Sequence, residues 1–200
     1  MYKAVFSRYQ PTNEQEAVDK ELILAFLANN DDALLRTNLA AHVTASAIVV
    51  NPAMDKVLFA FHNIYRSWSW VGGHNDGDPD LLKVAIQETK EETGVKNVIP
   101  YSEYIFMLDV IFVPNHVKKG MYVPDHLHLN AAFLLIAAED ESLAVNPDEN
   151  SGVKWFPITE VLNHVGEERM IKVYQKAFAK IATVRKPETT RDGRPNEVLP

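Results

Sequence analysis

Five short stretches of the chain alternate apolar and polar residues or are rich in β-branched residues, which is the pattern of β-strands. They are residues 42–50, 56–62, 101–114, 127–139 and 152–156. A turn at 51–55 lies between the first two stretches, which are therefore predicted to form a hairpin. A polar loop at 115–125 separates the third stretch from the fourth.

Apolar residues at helical spacing lie towards the two ends of the chain. Thr12 to Gln15 resemble a capping box and predict a helix to about Asn29. The apolar face of this helix is predicted to consist of Val18, Leu22, Ala25 and Phe26. Pro157 opens a second helical region, whose predicted buried residues are Val161, Met170, Val173, Tyr174, Phe178 and Ile181. From Lys186 onward the chain is polar and is predicted to be a loose tail.

A third helix is predicted at about 79–93. Asp78 suits the cap, Pro79 suits the first helical position, and Gly94 can adopt the left-handed conformation that ends a helix. One apolar stripe is predicted for this helix, consisting of Leu81, Leu82, Ala85, Ile86 and Thr89. Strands and helices that follow one another in this order predict an α/β fold, with a sheet covered by helices on both sides.

Composition limits the classes of protein to which the chain can belong. Its 200 residues, 46% of them apolar, suffice for one core of ordinary size. The net charge of −7 disfavours a large nucleic-acid footprint, although it permits a small phosphate pocket. The absence of cysteine excludes disulfides and a thiol nucleophile. Because the sequence has no signal peptide and no long apolar segment, we expect a soluble cytoplasmic protein without a membrane partner.

Three glutamates, Glu88, Glu91 and Glu92, lie within five positions at the end of the third helix. Like charges three and four residues apart repel each other, and acidic groups in a last turn oppose the helix dipole by about 0.3–1 kcal/mol each. A divalent cation such as Mg²⁺ or Mn²⁺ offsets such repulsion, since hard cations prefer oxygen ligands. A solvated acidic face is the alternative, and charge spacing alone leaves both readings open.

The residues around these glutamates resemble the Nudix box, a gapped motif with fixed spacing. Six positions match it, namely Gly73, Glu88, Glu91, Glu92, Gly94 and Val95. Trp68 and the Gly72-Gly73 pair also resemble the family's lead-in to the box. Three positions depart from the motif. Pro79 replaces a glutamate, Gln87 replaces an arginine, and Thr89 occupies a position that is usually apolar.

The resemblance implies the Nudix α/β/α sandwich with a central mixed sheet. We divide the chain into an N-terminal helical extension (1–41), a Nudix domain (42–184) and a polar C-terminal tail (185–200). The helix of the extension is predicted to cover a sheet face, shape the substrate pocket or form a homodimer contact. The sequence alone does not determine which of these roles the helix has.

The resemblance also implies a metal-dependent pyrophosphohydrolase, which cleaves a diphosphate bond in a nucleoside diphosphate derivative by attack of water. The implied metal ligands are Glu88, Glu91, Glu92 and a backbone carbonyl of Gly72 or Gly73, with Mg²⁺ or Mn²⁺ as the cofactor. Glu88 and Glu91 are also catalytic candidates. Glu149 is the candidate base from outside the box, with a solvated loop acid as its alternative.

Five further residues are candidates for binding the substrate, namely Arg66, Trp68, His74, His126 and His128. Arginine and histidine suit phosphate, and tryptophan can stack on a base. Their alternatives are surface positions for the charged groups and a core position for Trp68. Gln87 and Pro79 also leave open a Nudix-fold sensor that binds a nucleotide derivative without turnover. The isomerase branch of the superfamily relies on a cysteine, which this chain lacks.

Overall fold

The computed structural model describes residues 2–118 and 120–185, so the predicted tail from Lys186 onward lies outside the described residues. The α-helices are α1 (Tyr2–Arg8), α2 (Glu14–Asn29), α3 (Leu81–Thr93) and α4 (Glu168–Arg185), with a 3-10 turn at Val161–His164. The strands are β1 (Ala41–Val50), β2 (Lys56–His62), β3 (Ser67–Ser69), β4 (Val71–His74), β5 (Ile99–Pro100), β6 (Met107–Val113), β7 (His116–Lys118), β8 (Met121–Val123), β9 (His126–Ile136) and β10 (Asn150–Pro157). No helix in the described ranges is long and apolar enough to cross a membrane.

The main sheet is mixed. Its strands follow the order β10-β2-β1-β9-β5, with β3 beside β2, β4 beside β1 and β6 beside β9. Strands β1 and β9 are parallel along their whole paired length, from Ala41 opposite Leu127 to Val50 opposite Ile136. The other pairings in this sheet are antiparallel.

Side-chain alternation assigns the two faces of the sheet to two cores. Odd-numbered residues of β1 and β9, such as Val43 and Leu129, pack with α1, α2 and α3. Even-numbered residues, such as Ile48 and Leu134, pack with the 3-10 turn and α4. The α/β/α sandwich with a mixed sheet is therefore confirmed.

The even-numbered face of β1 changes character along its length. It begins with His42, Thr44 and Ser46 and continues with Ile48 and Val50, all of them buried. The parallel neighbour β9 repeats the change, because His126, His128 and Asn130 precede Ala132 and Leu134. The apolar half of this face joins the α4 core, while the polar half borders a cavity.

The N-terminal helix α2 covers a sheet face, but its predicted apolar side was wrong. Val18 and Leu22 are exposed, whereas Ile23 and Leu27 are buried in the core on the α3 side of the sheet. Polar contacts fix this orientation, since Asp19 Oδ2 accepts a hydrogen bond (2.8 Å) from the Val110 amide of β6. The buried Glu16 also lies 3.4 Å from Lys176 Nζ of α4.

Several local predictions also required correction. The stretch predicted as a strand at 101–114 forms β6 only from Met107, and the predicted polar loop at 115–125 contains the β7–β8 hairpin. The short strands β3 and β4 and helix α1 were not predicted. Helix α3 begins at Leu81 because Asp80, not Asp78, caps it by accepting a hydrogen bond from the Lys83 amide (3.0 Å). Pro79 therefore precedes the cap.

Candidate active site

Two glutamates of α3, Glu88 and Glu92, lie against the glycines of β4. Glu92 is almost fully buried, and its Oε1 accepts a hydrogen bond from the Gly72 amide at 2.8 Å. A Cβ on Gly73 would lie 2.3 Å from Oε1 of Glu88. A Cβ on Gly72, whose φ is +152°, would lie 2.6 Å from the carbonyl oxygen of Ala45. Gly73 thus leaves the space that the Glu88 carboxylate occupies, and Gly72 permits the close approach of β4 to β1.

Glu149 completes a group of three carboxylates with Glu88 and Glu92. Each offers an oxygen within 4.8 Å of those of the other two. Burial raises the pKa of Glu88 to about 7, and the charges of Glu149 and Glu91 add to this effect. Burial likewise raises the pKa of Glu92 to about 8 against the opposing Gly72 hydrogen bond, with Glu88 and Glu149 adding to the rise. Three crowded carboxylates of this kind favour a bound cation.

Glu91 lies outside this group. It is exposed, and its Oε1 accepts a hydrogen bond of 2.8 Å from Gln87. At about 100° per residue, Glu92 lies about 40° from Glu88 on one side of the helix, and Glu91 about 60° away on the other. The expectation that all three box glutamates point into one site is therefore not met.

Four histidines converge beside the carboxylates. His42 of β1 lies opposite His128 of β9, and His74 of β4 lies opposite Thr44 of β1. The His42 ring centroid is 4.9 Å from that of His74 and 4.9 Å from that of His126. Burial lowers the pKa of His74 to about 3, lowers that of His42, and holds that of His128 well below its ordinary value. These three rings are therefore uncharged at neutral pH.

A cavity of about 650 Å³ contains both groups in its lining. Three cationic residues also line it, namely Arg36, Lys118 and Arg169. Lys118 Nζ lies 3.9 Å from Glu149 Oε1. Arg36 Nε donates to Asp76 Oδ1 at 2.7 Å, and Arg169 donates to the carbonyl oxygen of Phe112 at 2.7 Å. The cavity thus offers carboxylates for a cation and cations for an anionic ligand, and its size suits a small molecule.

Two predicted substrate residues lie outside this lining. Arg66 is exposed in the turn after β2, where its φ is +51°. The Trp68 ring packs edge-on against Phe61 and Phe156, with centroid separations of 5.5 and 4.9 Å. The cavity is instead lined by Trp70, whose ring meets Tyr174 edge-on at 5.4 Å.

Sequence reasoning missed His42, Arg36, Lys118 and Arg169. A signal for His42 was present, because polar residues recur at every second position from His42 to Ser46. The three cations come from a loop, the β7–β8 hairpin and helix α4, which are far apart in sequence. No local sequence pattern indicates that these three cations line the same cavity.

Comparisons with known proteins agree with this fold. A sequence model of the NUDIX domain matches residues 40–177. A Clostridium perfringens hydrolase of the NUDIX family aligns over 72% of this chain and 97% of its own (TM-score 0.53, 20% identity). The C. elegans Ap4A hydrolase aligns over 70% and 98% (TM-score 0.52, 18% identity). The E. coli dihydroneopterin triphosphate pyrophosphohydrolase aligns over 68% and 94% (TM-score 0.51, 13% identity). No curated protein matches the chain.

Proposed function

The chain belongs to the Nudix family of hydrolases, which act on phosphate anhydrides, and we propose that it cleaves a diphosphate bond in a nucleotide derivative with Mg²⁺ or Mn²⁺. The observation that carries this proposal is the meeting of Glu88, Glu92 and Glu149 in a cavity that also holds Arg36, Lys118 and Arg169. Carboxylates suit a hard divalent cation, and the three cations suit the phosphates of the substrate.

The donor set fits such a cation. Glu88 occupies the space left by Gly73, and Glu92 accepts the hydrogen bond of the Gly72 amide. Burial raises the pKa of each carboxyl, and the charges of the neighbouring carboxylates add to the rise. A divalent cation held there lowers the pKa of water and neutralises charge on phosphate oxygens. Glu88 and Glu92 are the proposed ligands.

Glu149 is the proposed base that takes the proton of the attacking water. It lies within the carboxylate group, and Lys118 lies 3.9 Å away. Its main chain is anchored, since the Glu149 amide donates to Asn146 (2.9 Å) and the Glu149 carbonyl accepts from Asn63 (2.9 Å). An anchored loop keeps the carboxylate in place while its side chain adjusts to water or metal.

Arg36, Lys118 and Arg169 are proposed to bind the phosphates. Arg36 and Arg169 are oriented by Asp76 and by the Phe112 carbonyl, respectively, which lowers the entropy lost when a phosphate binds. Arg36, Lys118 and Arg169 also lie beside the acidic side chains of Asp76, Glu149 and Glu167, respectively, so the phosphates of a nucleotide would compete with these ion pairs. His126 and Trp70 border the same space and supply polar and aromatic surface for the rest of the substrate.

The second candidate function is a sensor that binds a nucleotide derivative without turnover. The observation that favours it is the hydrogen bond from Gln87 to the exposed Glu91, which gives this box glutamate a neutral partner instead of a charged one. Binding of a ligand without product release distinguishes this function from the hydrolase.

The test measures product release from ADP-ribose, nucleotide sugars, dinucleoside polyphosphates and nucleoside triphosphates, with Mg²⁺ or Mn²⁺ and with a chelator. Glu92→Gln should lower metal-dependent turnover by about 100-fold or more, since it removes a ligand of the cation. Glu91→Gln is the matched control and should have a smaller effect, because Glu91 lies outside the carboxylate group. Turnover that is independent of metal, or equal in wild type and Glu92→Gln, contradicts the proposal.

A further inference from the structure

The cavity contains a second cluster of potential metal ligands, which the hydrolytic reaction does not use. It consists of His42, His74 and His128, which come from three neighbouring strands. Their ring centroids form a nearly regular triangle with sides of 4.9, 5.0 and 5.1 Å. The strand register fixes this arrangement, because β1 pairs with β4 on one side and with β9 on the other.

The nitrogen atoms of these rings are close enough for one ion. Each histidine offers a nitrogen within 4.8 Å of the other two. The corners of such a triangle lie at most about 2.8 Å from its centre, and zinc binds histidine at about 2.0–2.1 Å. Each nitrogen therefore has to move inward by at most about 0.7 Å, which small side-chain rotations provide.

One nitrogen of the cluster is left without a partner inside the protein. The Nδ1 atom of His42 lies 3.0 Å from the carbonyl oxygen of Asn38 and donates to it, which leaves the lone pair on Nε2. That Nε2 is buried and has no hydrogen-bond partner among the residues that the structure describes. A backbone carbonyl behind the far nitrogen of an imidazole is the usual outer contact of a metal-bound histidine.

His128 is also oriented from behind. His126 Nδ1 lies 2.8 Å from the carbonyl oxygen of Pro124, and its Nε2 lies 3.2 Å from Nε2 of His128. His126 donates from Nδ1 to Pro124, and where His128 donates from Nε2 to His126, the lone pair of His128 is on Nδ1. His126 thus acts as a positioning residue for the cluster.

We propose that His42, His74 and His128 form a second metal site, which binds a divalent transition-metal ion such as Zn²⁺ and leaves one coordination position open towards the cavity. Imidazole suits ions of this class, whereas Mg²⁺ prefers the oxygen atoms of Glu88 and Glu92. The two sites therefore differ in the ion that their donor atoms prefer. Three protein ligands are typical of zinc sites that keep a position for water or for an oxygen of a bound molecule.

The experiment measures Zn²⁺ binding to the full chain after removal of metal with a chelator and dialysis, by competition with a chromophoric chelator. Wild type should bind one tight equivalent. The first variant is His74→Gln, because His74 is only half-buried. It should weaken Zn²⁺ binding by more than the roughly 10–100-fold typical of lost outer contacts. Glu92→Gln should keep the tight equivalent.

His164→Gln is the matched control, because His164 is exposed on the 3-10 turn and lies outside the cluster. It should bind Zn²⁺ as wild type does. The proposal is overturned if wild type has no tight equivalent, or if that equivalent survives His74→Gln. It is also overturned if Glu92→Gln abolishes the equivalent, since the ion would then belong to the carboxylates.

Two readouts keep the result independent of folding and of hydrolysis. Circular dichroism of His74→Gln without metal should match wild type, and if it does not, the same titration is made with His128→Gln. Visible absorption of bound Co²⁺ should report nitrogen ligands in wild type and disappear in the histidine variant. Turnover enters neither measurement, so failure of the hydrolase proposal and failure of the zinc site are distinguishable.

Discussion

The charge state of the carboxylate group makes the stability of the metal-free protein depend on pH. The pKa of Glu92 is raised from 4.5 to about 8, so at pH 7 the folded protein holds a proton that the unfolded chain has already lost. Stability from this proton is fully present below pH 4.5 and is lost as the pH rises through about 8. The free energy of unfolding should therefore fall between pH 7 and pH 9.

The size of this fall follows from the shifted pKa. Between pH 7 and pH 9, deprotonation of this group stabilises the unfolded chain by about 2.7 kcal/mol relative to its protonated form. In the folded protein, where the pKa is about 8, deprotonation gives about half of this stabilisation. Glu92 thus contributes a fall of about 1 kcal/mol. Glu88, with a pKa of about 7, adds only a few tenths of a kcal/mol in the same window.

The assay is urea unfolding in chelator at pH 7 and pH 9, with Glu92→Gln beside wild type. Glutamine does not titrate, so the variant should lose about 1 kcal/mol less than wild type. Glu91→Gln is the matched control and should stay within a few tenths of a kcal/mol of wild type, because the exposed Glu91 acts only on the smaller contribution of Glu88. Histidines with lowered pKa act mainly below pH 7 and are the same in all three proteins. Parallel losses in wild type and Glu92→Gln would refute the reasoning.

Three further perturbations test other contacts. Gln87→Arg should raise the Mg²⁺ affinity measured by calorimetry about two- to threefold. The arginine would form an ion pair with Glu91, whose charge raises the pKa of Glu88, so no gain would mean that this charge is unimportant. Gly73→Ala should weaken Mg²⁺ binding about tenfold with little loss of stability, since the three atoms nearest to its Cβ all belong to the movable Glu88 carboxylate. The Cβ of Gly72→Ala meets the backbone of β1, so this variant should unfold at a lower urea concentration; equal effects of the two substitutions would contradict this distinction. Lys176→Met should lower the free energy of unfolding by about 3 kcal/mol, because it leaves Glu16 and Asp109 buried without their cation. Lys172→Met is the exposed control, and an equal loss in both variants would show that the ion pairs of Lys176 are unimportant for stability.

The parts of the fold that were predicted correctly depend on short-range pattern. The hairpin of β1 and β2 follows from alternation around the turn at 51–55, and Gly94 ends α3 in the left-handed conformation with a φ of +76°. The fixed spacing of the box was sufficient for the family, which the match over residues 40–177 confirms. Glu88 and Glu92 lie on one side of α3 because four residues make about one helical turn.

The parts that were not predicted depend on contacts between distant segments. The buried side of α2 is chosen by Asp19 at β6 and Glu16 at Lys176, and neither contact has a local signature. The histidine cluster requires the parallel pairing of β1 with β9, which a sequence of alternating residues does not specify. Arg66 and Trp68 were chosen for their chemistry, but the turn and the packing direct them away from the cavity.

One face of β1 changes from polar to apolar along its length, and the two halves are therefore under different evolutionary constraints. Substitutions at Thr44, Ser46 or Asn130 alter the floor of the cavity, whereas Ile48 and its neighbours hold α4 in place. A lineage of such proteins can therefore diversify its ligands through a few floor positions while the folding core stays the same. Because the hydroxyls of Thr44 and Ser46 both donate to Asn130 Oδ1, directed evolution of new substrate preference in this scaffold has to vary the three positions together.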